Sequence, residues 1–252
     1  DAQQRIYGHT AVLSKCGIRI QGRARKLRIN YRTTEQIRSA ADSIFRSSGA
    51  DVADSVFAAV RGIGDASPAT TFDDLDGGES PTGDSRSLMS GPVPETRRFA
   101  SQADEMDAVR EWIYELCGPA EDTVGDESDG ERVDPRNVCV AARSRYCIDQ
   151  WSKTLDDGLP YGVYQLGRDA ENRQRQGIRV ATMHRVKGLE FDYVVVVDVN
   201  DGVCPPKPAL QSAGADPAAL NEIYREERSL IYVAMTRAKK GVLLTGVSAH
   251  VR

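Results

Sequence analysis

The run of residues 193–199, Tyr-Val-Val-Val-Val-Asp-Val, limits the fold of this chain more than any other stretch. β-Branched residues favour strands, and a strand that is apolar on both faces is typical of a parallel sheet covered by helices on each side. The stretches 138–142 and 178–182 are predicted to be strands of the same sheet. Together they predict an α/β fold with a mostly parallel sheet between two layers of helices.

Helices are predicted to alternate with these strands. Apolar positions three and four residues apart predict three helices: one that starts at Ser101, a second that ends at Gly158 and a third over about 220–239. An earlier helix is predicted to follow Thr33, whose side chain can cap it together with Gln36 three positions on. Shorter strands complete the alternation, and they are predicted at 26–29, 161–166 and 242–245.

Two polar segments are predicted to be loops within a single domain that spans residues 1–252. Residues 66–95 are rich in Gly, Pro, Ser and Asp and lack periodicity, which predicts a flexible surface loop. Residues 121–132 contain six acidic side chains, which predicts a solvated acidic loop.

Composition argues against several classes of protein. The net charge of −4 is not typical of a domain that holds nucleic acid by charge alone. Five cysteines without a Cys-x-x-Cys pair argue against a disulfide framework and a zinc site, so the chain itself is expected to hold no metal. Apolar stretches are shorter than the roughly 20 residues of a membrane span, so we expect a cytoplasmic protein without membrane contact.

Four segments carry a resemblance that covers the chain from end to end. They are residues 1–7 (DAQQRIY), 27–33 (LRINYRT), 180–191 (VATMHRVKGLEF) and 226–240 (EERSLIYVAMTRAKK). In this order they resemble the third to sixth motifs of UvrD/Rep-like superfamily-one DNA helicases. The resemblance implies the C-terminal, second motor domain of such a helicase, with a RecA-like three-layer fold.

On the nucleotide side, the resemblance implies ATP as the ligand. Arg32 and Arg237 match the family's arginine fingers, and Gln4 matches the glutamine that senses the γ-phosphate. Guanidinium suits this task because it stays charged and grips phosphate oxygens with a planar fork. Arg237 is expected at the outward-facing end of its helix. The alternative for each arginine is an ordinary surface or salt-bridged side chain.

Three more residues are assigned to the nucleotide by the resemblance. Tyr31 matches the tyrosine that stacks on adenine, Glu190 matches the carboxylate that accepts a hydrogen bond from the ribose, and Gly188 allows the backbone to come close. A core tyrosine and a solvated glutamate are the alternative interpretations of Tyr31 and Glu190.

On the nucleic-acid side, the resemblance implies contact with single-stranded DNA. Thr182 and His184 match positions that contact the strand's backbone, since hydroxyl and imidazole groups donate to phosphate. Tyr7 matches an aromatic residue on which a base stacks, and His9 stands where many relatives carry tryptophan. A buried, satisfied histidine is the alternative for His184.

Two departures from the family pattern shape the expected function. The chain has no GxxxxGK[ST] phosphate loop and no acidic magnesium-holding strand. We therefore expect it to be inactive alone, with Mg²⁺ and ATP held mainly by an upstream N-terminal motor domain of the same protein. Only residues 167–177 stand where many relatives insert a large accessory domain, so that domain is expected to be absent.

The leading hypothesis is the C-terminal motor domain of an ATP-dependent DNA helicase or translocase that moves 3′ to 5′. It would supply arginine fingers to ATP bound between two RecA-like domains. A helicase-derived remodelling or regulatory module that acts on a protein partner is the alternative. A third interpretation is an unrelated nucleotide-binding α/β domain.

Overall fold

The computed structural model describes residue 6 and residues 29–46, 51–62, 70–72, 79–81, 86–119 and 132–248. None of the helices in these ranges is long and apolar enough to cross a membrane. In chain order the regular elements are β1 (Ile29–Thr34), α1 (Glu35–Ser43), a 3-10 turn (Ile44–Arg46), α2 (Val52–Arg61), β2 (Thr70–Phe72), β3 (Glu79–Pro81), β4 (Arg86–Met89), β5 (Glu95–Phe99), α3 (Gln102–Cys117), a second 3-10 turn (Pro135–Asn137), β6 (Val138–Ala142), α4 (Arg145–Gly158), β7 (Val163–Gln165), β8 (Ile178–Thr182), β9 (Phe191–Val196), α5 (Lys207–Ala213), α6 (Pro217–Met235) and β10 (Ala238–Val247).

Six of these strands form one sheet in the order β5-β10-β9-β6-β8-β7, and every neighbouring pair in it is parallel. The register places Val140 of β6 beside Val195 of β9 and Val180 of β8. All five residues of β6 are buried, as a central strand covered on both faces requires. The carboxyl ends of the six strands therefore lie at one edge of the sheet, and their amino ends lie at the opposite edge.

Helices cover both faces of this sheet. On one face α1, α2 and α6 pack against the side of β6 that carries Cys139 and Ala141. On the other face α3 and α4 pack against the side that carries Val138, Val140 and Ala142. Successive side chains of a strand point to opposite faces, so both sets of apolar residues are needed. The predicted α/β fold, with its parallel sheet between two helical layers, is confirmed.

Polar side chains fix where the helices begin. Each accepts a hydrogen bond from a backbone N–H group of the first turn, which has no partner inside the helix. Thr33 is not the cap of the first helix, because β1 continues through Thr34 before the chain turns into α1. The capping residues are Thr34 for α1, Asp51 for α2, Ser101 for α3, Ser144 for α4 and Asp216 for α6.

The first strand and the last helix differ from their predicted bounds. Strand β1 covers Ile29–Thr34 and pairs with β4 outside the main sheet, so Arg32 lies within a strand and not on the loop after it. Helix α6 covers Pro217–Met235, since proline is well accommodated in a first turn. It ends before the predicted 239 because β10 begins at Ala238, which pairs with Phe191 of β9.

Residues 66–95, predicted as a flexible surface loop, contain strand pairs that the sequence did not indicate. Within the described part, β2 pairs with β3 antiparallel and β4 pairs with β1. Helix α1 contacts the later part of the segment. Glu35 Oε2 accepts a hydrogen bond from Ser87 N at 2.8 Å, and Gln36 Oε1 accepts one from Gly91 N at 2.9 Å. These bonds join residues 52 and 55 positions apart, which local patterns do not show.

A buried carboxyl group joins α3 to the carboxyl ends of two strands. Glu105 is fully buried, and its Oε1 accepts hydrogen bonds from Thr245 Oγ1 at 2.6 Å and Asp198 N at 3.0 Å. Its Oε2 has no hydrogen-bond partner among the described residues. Burial, and then the charge of Asp198, raise the pKa of Glu105 to about 7, although its two hydrogen bonds oppose the shift.

We predict that Glu105 makes the protein less stable as the pH rises from about 4.5 to about 7. The folded state binds the Glu105 proton more tightly than the unfolded state, so stability is lost as pH rises through the folded-state pKa of about 7. Glu105→Gln should remove this pH dependence, which amounts to up to about 3 kcal/mol in the free energy of unfolding between about pH 4.5 and about pH 7. Urea unfolding of both proteins between pH 4.5 and pH 8 measures it.

Glu115→Gln is the matched control, because Glu115 lies on the same helix but is exposed. It should leave the pH dependence unchanged. An unaltered slope in Glu105→Gln would show that this carboxyl group does not titrate as proposed.

Candidate functional site

The predicted site residues that the structure describes lie at opposite edges of the main sheet. Glu190 and Arg237 directly precede β9 and β10, so they lie at the amino ends of the strands. Thr182 ends β8 and His184 follows it, so they lie at the carboxyl ends. In the folded chain, the residues assigned to the nucleotide therefore lie about the length of a strand away from those assigned to DNA.

Residues 183–190 connect these two edges, and the connection is firmly packed. Met183 and Val186 are fully buried in the core beneath it. Its backbone forms consecutive turns, with Arg185 N donating to Thr182 O at 2.8 Å and Leu189 N donating to Val186 O at 3.0 Å.

Arg237 at the amino edge is buried, contrary to the prediction that it faces outward. Only 5% of the residue is exposed. Its Nε donates to Val233 O at 3.1 Å, and Nη2 donates to the hydroxyl of Thr236 at 3.3 Å. The tight turn after α6 bends the side chain back onto the Val233 carbonyl in the last turn of the helix, which also accepts a hydrogen bond from Thr236 Oγ1 at 3.2 Å. Burial, and then the charge of Arg32, lower the pKa of Arg237.

Three cations surround one carboxylate at this edge. Arg32 Nε lies 3.2 Å from Glu190 Oε1, and Lys239 Nζ lies 3.2 Å from Glu190 Oε2. Arg237 is close enough for the charges of Arg32 and Glu190 to shift its pKa in opposite directions. We call Arg32, Glu190, Arg237 and Lys239 the amino-edge cluster. It carries a net positive charge, and the Arg32 side chain is 54% exposed.

Tyr31 and Gly188 lie beside the amino-edge cluster. Tyr31 is 66% exposed, so it is not the core tyrosine of the alternative interpretation, and the Arg32 guanidinium lies 5.8 Å from its ring centroid. Gly188 has φ +88°, a conformation that side-chain-bearing residues rarely adopt, and a Cβ there would meet open space. The glycine is therefore required by backbone conformation, while its role toward a nucleotide stays a prediction.

Three predicted residues, Gln4, Tyr7 and His9, lie outside the described residues, as does most of the acidic segment 121–132. Their assigned roles stay predictions.

A basic groove of about 900 Å³ opens at the carboxyl edge of the sheet. Thr182 and His184 both line it, as the DNA assignment requires. Four cationic side chains and two carboxylates share the lining. We call it the basic groove, and its charged residues are Arg145, Arg168, Arg185, Lys187, Asp149 and Asp169.

The Thr182 hydroxyl and the His184 imidazole are both suited to donate a hydrogen bond into this groove. Thr182 Oγ1 already accepts from Arg185 N at 3.2 Å, which leaves its proton for another acceptor. His184 is half-buried, so the alternative of a fully buried histidine is not observed. Burial, and then the charge of Arg143, lower the pKa of His184, so a neutral imidazole faces the groove near pH 7.

One wall of the basic groove is held in place by two arginines. Arg185 Nε donates to Gly167 O, and its Nη2 donates to Asp169 O at 2.7 Å. Arg179, fully buried, donates to Gly177 O at 2.7 Å and lies 3.4 Å from the carboxylate of Glu171. The short segment that stands where relatives insert a domain is thus fixed against the sheet.

The other two arginines of the groove are differently placed. Within the described ranges, Arg145 and Arg168 form no hydrogen bond or ion pair. Their charges are available to a ligand, and the sequence analysis missed both. They come from separate elements, the start of α4 and the loop after β7, so no single stretch of sequence is conspicuously basic.

A buried ion pair supports the region beneath His184. Arg143 Nε lies 2.7 Å from Glu227 Oε1, and the Glu227 side chain is only 2% exposed. Removing one partner of such a pair leaves an uncompensated charge and costs about 3–5 kcal/mol.

We predict that Arg143→Met destabilises the fold by this amount, while Arg143→Met with Glu227→Leu recovers most of the loss because both charges are gone. Thermal and urea unfolding measure both. Arg225→Ala is the control, because the Arg225–Glu222 pair lies on α6, which also carries Glu227, but is exposed and should contribute less than about 1 kcal/mol. Equal losses in the single and double variants would contradict the prediction.

Part of the chain matches a known protein family. Residues 163–248, from β7 to the end of β10, match the family model described as the UvrD-like helicase C-terminal domain. This match contains Thr182, His184, Gly188, Glu190 and Arg237. The α/β domain with two charged edges therefore contains a match to the UvrD-like helicase C-terminal domain over residues 163–248.

Individual relatives agree with this assignment. The chain is 39% identical over 94 residues to YjcD of Bacillus subtilis. It is 34% identical over 119 residues to the ATP-dependent DNA helicase UvrD2 of Mycobacterium tuberculosis and 30% identical over 87 residues to DNA helicase II of Escherichia coli. The alignments cover 37%, 46% and 34% of this chain, and only 12%, 16% and 11% of those proteins.

Proposed function

We propose that the chain is the second motor domain of an ATP-dependent DNA helicase. In this proposal it supplies Arg32 and Arg237 to ATP bound between two RecA-like domains and holds single-stranded DNA in the basic groove. The observation that carries the proposal is the amino-edge cluster, in which Arg32 from β1 and Arg237 from the start of β10 approach the same carboxylate. The 3′ to 5′ polarity rests on the resemblance to UvrD/Rep-like helicases.

The cations of the amino-edge cluster can exchange the Glu190 carboxylate for a phosphate anion. Glu190 accepts from Arg32 through one oxygen and from Lys239 through the other. A triphosphate carries more negative charge than a single carboxylate, so it would attract both cations away from Glu190. The released carboxylate would then be able to accept a hydrogen bond from a ribose hydroxyl, as the resemblance implies.

Arg237 has the environment that an arginine finger needs. Its charge is desolvated and is satisfied locally by a carbonyl and a hydroxyl, with no carboxylate in direct contact in the described part of the chain. Electrostatic attraction is stronger away from water, and arginine keeps its charge despite a lowered pKa. Charge that develops on the γ-phosphoryl oxygens is therefore stabilised by a cation that is already in place.

The chain's own residues supply only part of the site. Among the described residues, no group of three or more His, Cys, Asp or Glu is placed to hold a metal ion. The proposal assigns Mg²⁺ and the phosphate-binding loop to the N-terminal motor domain. This chain contributes positive charge, adenine stacking by Tyr31 and the second wall of the nucleotide site.

We predict that Arg237→Ala and Arg32→Ala each lower the DNA-stimulated ATPase rate by about 10³-fold or more in the protein that carries both motor domains. Arg237→Lys should fail as well, because an ammonium lacks the planar fork. Steady-state ATP hydrolysis with saturating single-stranded DNA measures the effect, and melting temperatures separate it from misfolding. Arg97→Ala, on the edge strand β5 with a partly exposed side chain, is the control and should retain full turnover.

Turnover that is unchanged in Arg237→Ala would remove the arginine-finger assignment. ATP hydrolysis that does not respond to single-stranded DNA would favour the alternative function, a remodelling module that acts on a protein partner.

For the basic groove, we predict that Arg145→Ala with Arg168→Ala weakens single-stranded DNA binding and makes it less sensitive to salt. Each phosphate contact contributes about 0.7 to the slope of log K against log salt for single strands, so the slope should fall by about 1.4. Fluorescence anisotropy between 50 and 200 mM salt, a range over which such contacts change affinity strongly, measures it. Arg225→Ala, exposed and outside the groove, should leave the slope unchanged. An unchanged slope in the double variant would place the DNA elsewhere.

A further inference from the structure

Tyr146 is an exposed aromatic residue beside the basic groove. It is 71% exposed, and it lies on the first turn of α4 next to Arg145. Arg145, Ile148 and Asp149 of the same turn all line the groove. Tyr146 is not itself among the lining residues, and helical geometry puts it about 60° around the helix from Asp149, on the solvent side of the residues that line the groove.

The position of this ring is well defined. Ser144 caps α4 by accepting a hydrogen bond from Cys147 N at 3.2 Å, which orders the first turn. Gln150, one turn further on, donates through Nε2 to the Tyr146 hydroxyl at 3.0 Å. Within the described ranges, the faces of the ring make no aromatic or cation–π contact. A planar surface is thus presented to solvent with its polar end already bonded.

Exposure alone does not indicate a function, since single exposed apolar residues are common on protein surfaces. The neighbours of Tyr146 distinguish it. Arg145 and Arg168 offer positive charge and form no ion pair within the described ranges, and Thr182 and His184 offer hydrogen-bond donors in the same groove. Cations that follow a phosphate backbone, with an aromatic ring beside them, are the combination used to bind single strands without regard to sequence.

We propose that Tyr146 is a stacking platform for a nucleobase of the single strand in the basic groove. The strand's phosphates lie along Arg145, Arg168 and the donors of Thr182 and His184, and one base rests on the Tyr146 ring. The inference rests on the proposed DNA contact and adds a residue that binds a base. Because every base has a π face, the platform tolerates any sequence.

An oligonucleotide without bases separates this inference from the DNA contact itself. The 252-residue chain is titrated by anisotropy with a thymidine oligonucleotide and with an abasic oligonucleotide of equal length, which offers the same phosphates. The wild-type chain should bind the thymidine oligonucleotide about tenfold more tightly, as stacking of one base predicts. Tyr146→Ala should bind the thymidine oligonucleotide more weakly and the abasic oligonucleotide as wild type does, so the difference shrinks, while Tyr146→Phe and Tyr146→Trp should retain it.

A matched control is available on the neighbouring helix. Tyr114 of α3 is also exposed, at 46%, and no residue of α3 lines the groove, so Tyr114→Ala should bind as wild type does. A 2-aminopurine in the thymidine oligonucleotide should be quenched by the wild-type chain and not by Tyr146→Ala. Melting temperatures of the variants should stay close to the wild-type value, since Tyr146 is 71% exposed.

The outcomes are distinguishable. If Tyr146→Ala keeps the preference for the thymidine oligonucleotide, or loses affinity for both oligonucleotides equally, the stacking role is overturned while the DNA contact stands. Equal wild-type affinities would mean that the groove binds phosphates alone, which also overturns it. If the wild-type chain binds neither oligonucleotide, the proposed DNA contact fails and the inference fails with it.

Discussion

The parallel pairing of the six-stranded sheet is the constraint on which the rest of this structure depends. Because every strand points the same way, residues that precede strands gather at one edge and residues that follow strands gather at the other. The amino-edge cluster and the basic groove are direct results of this direction. The helical layers stabilise the sheet, since a parallel sheet needs both faces covered. Helix α6 contributes nine consecutive buried residues, Glu227–Met235, to this cover.

Electrostatics gives the two edges different characters. At the amino edge three cations, partly desolvated, share one carboxylate and leave a net positive charge, an arrangement suited to a compact, highly charged anion. At the carboxyl edge the cations are spread along an open groove and two of them have no described partner, which suits an extended polyanion. The overall charge of −4 shows neither pattern, because local clusters of opposite sign cancel in the sum.

Sequence reasoning predicted the elements of the sheet better than the placement of side chains. The strands Val138–Ala142 and Ile178–Thr182 were predicted to the residue, because apolar runs are local. The helix that was predicted to start at Ser101 begins one residue later, at Gln102, with Ser101 as its cap. The bounds of β1 and α6 were wrong where strand pairing competes with local preference. The outward-facing Arg237 was wrong because a turn, invisible in the apolar pattern, folds it back. Arg145, Arg168 and Lys239 were missed because only the folded sheet brings them to their sites.

The packed connection over residues 183–190 has a mechanical consequence. Met183 and Val186 anchor the connection in the core, and its turns are hydrogen-bonded. Neither edge of the sheet can therefore shift without the other. Any force that a ligand exerts on Glu190 is borne by the whole body of the domain. A displacement of Glu190 is therefore expected to carry Thr182 and His184 at the opposite edge with it, as parts of one body.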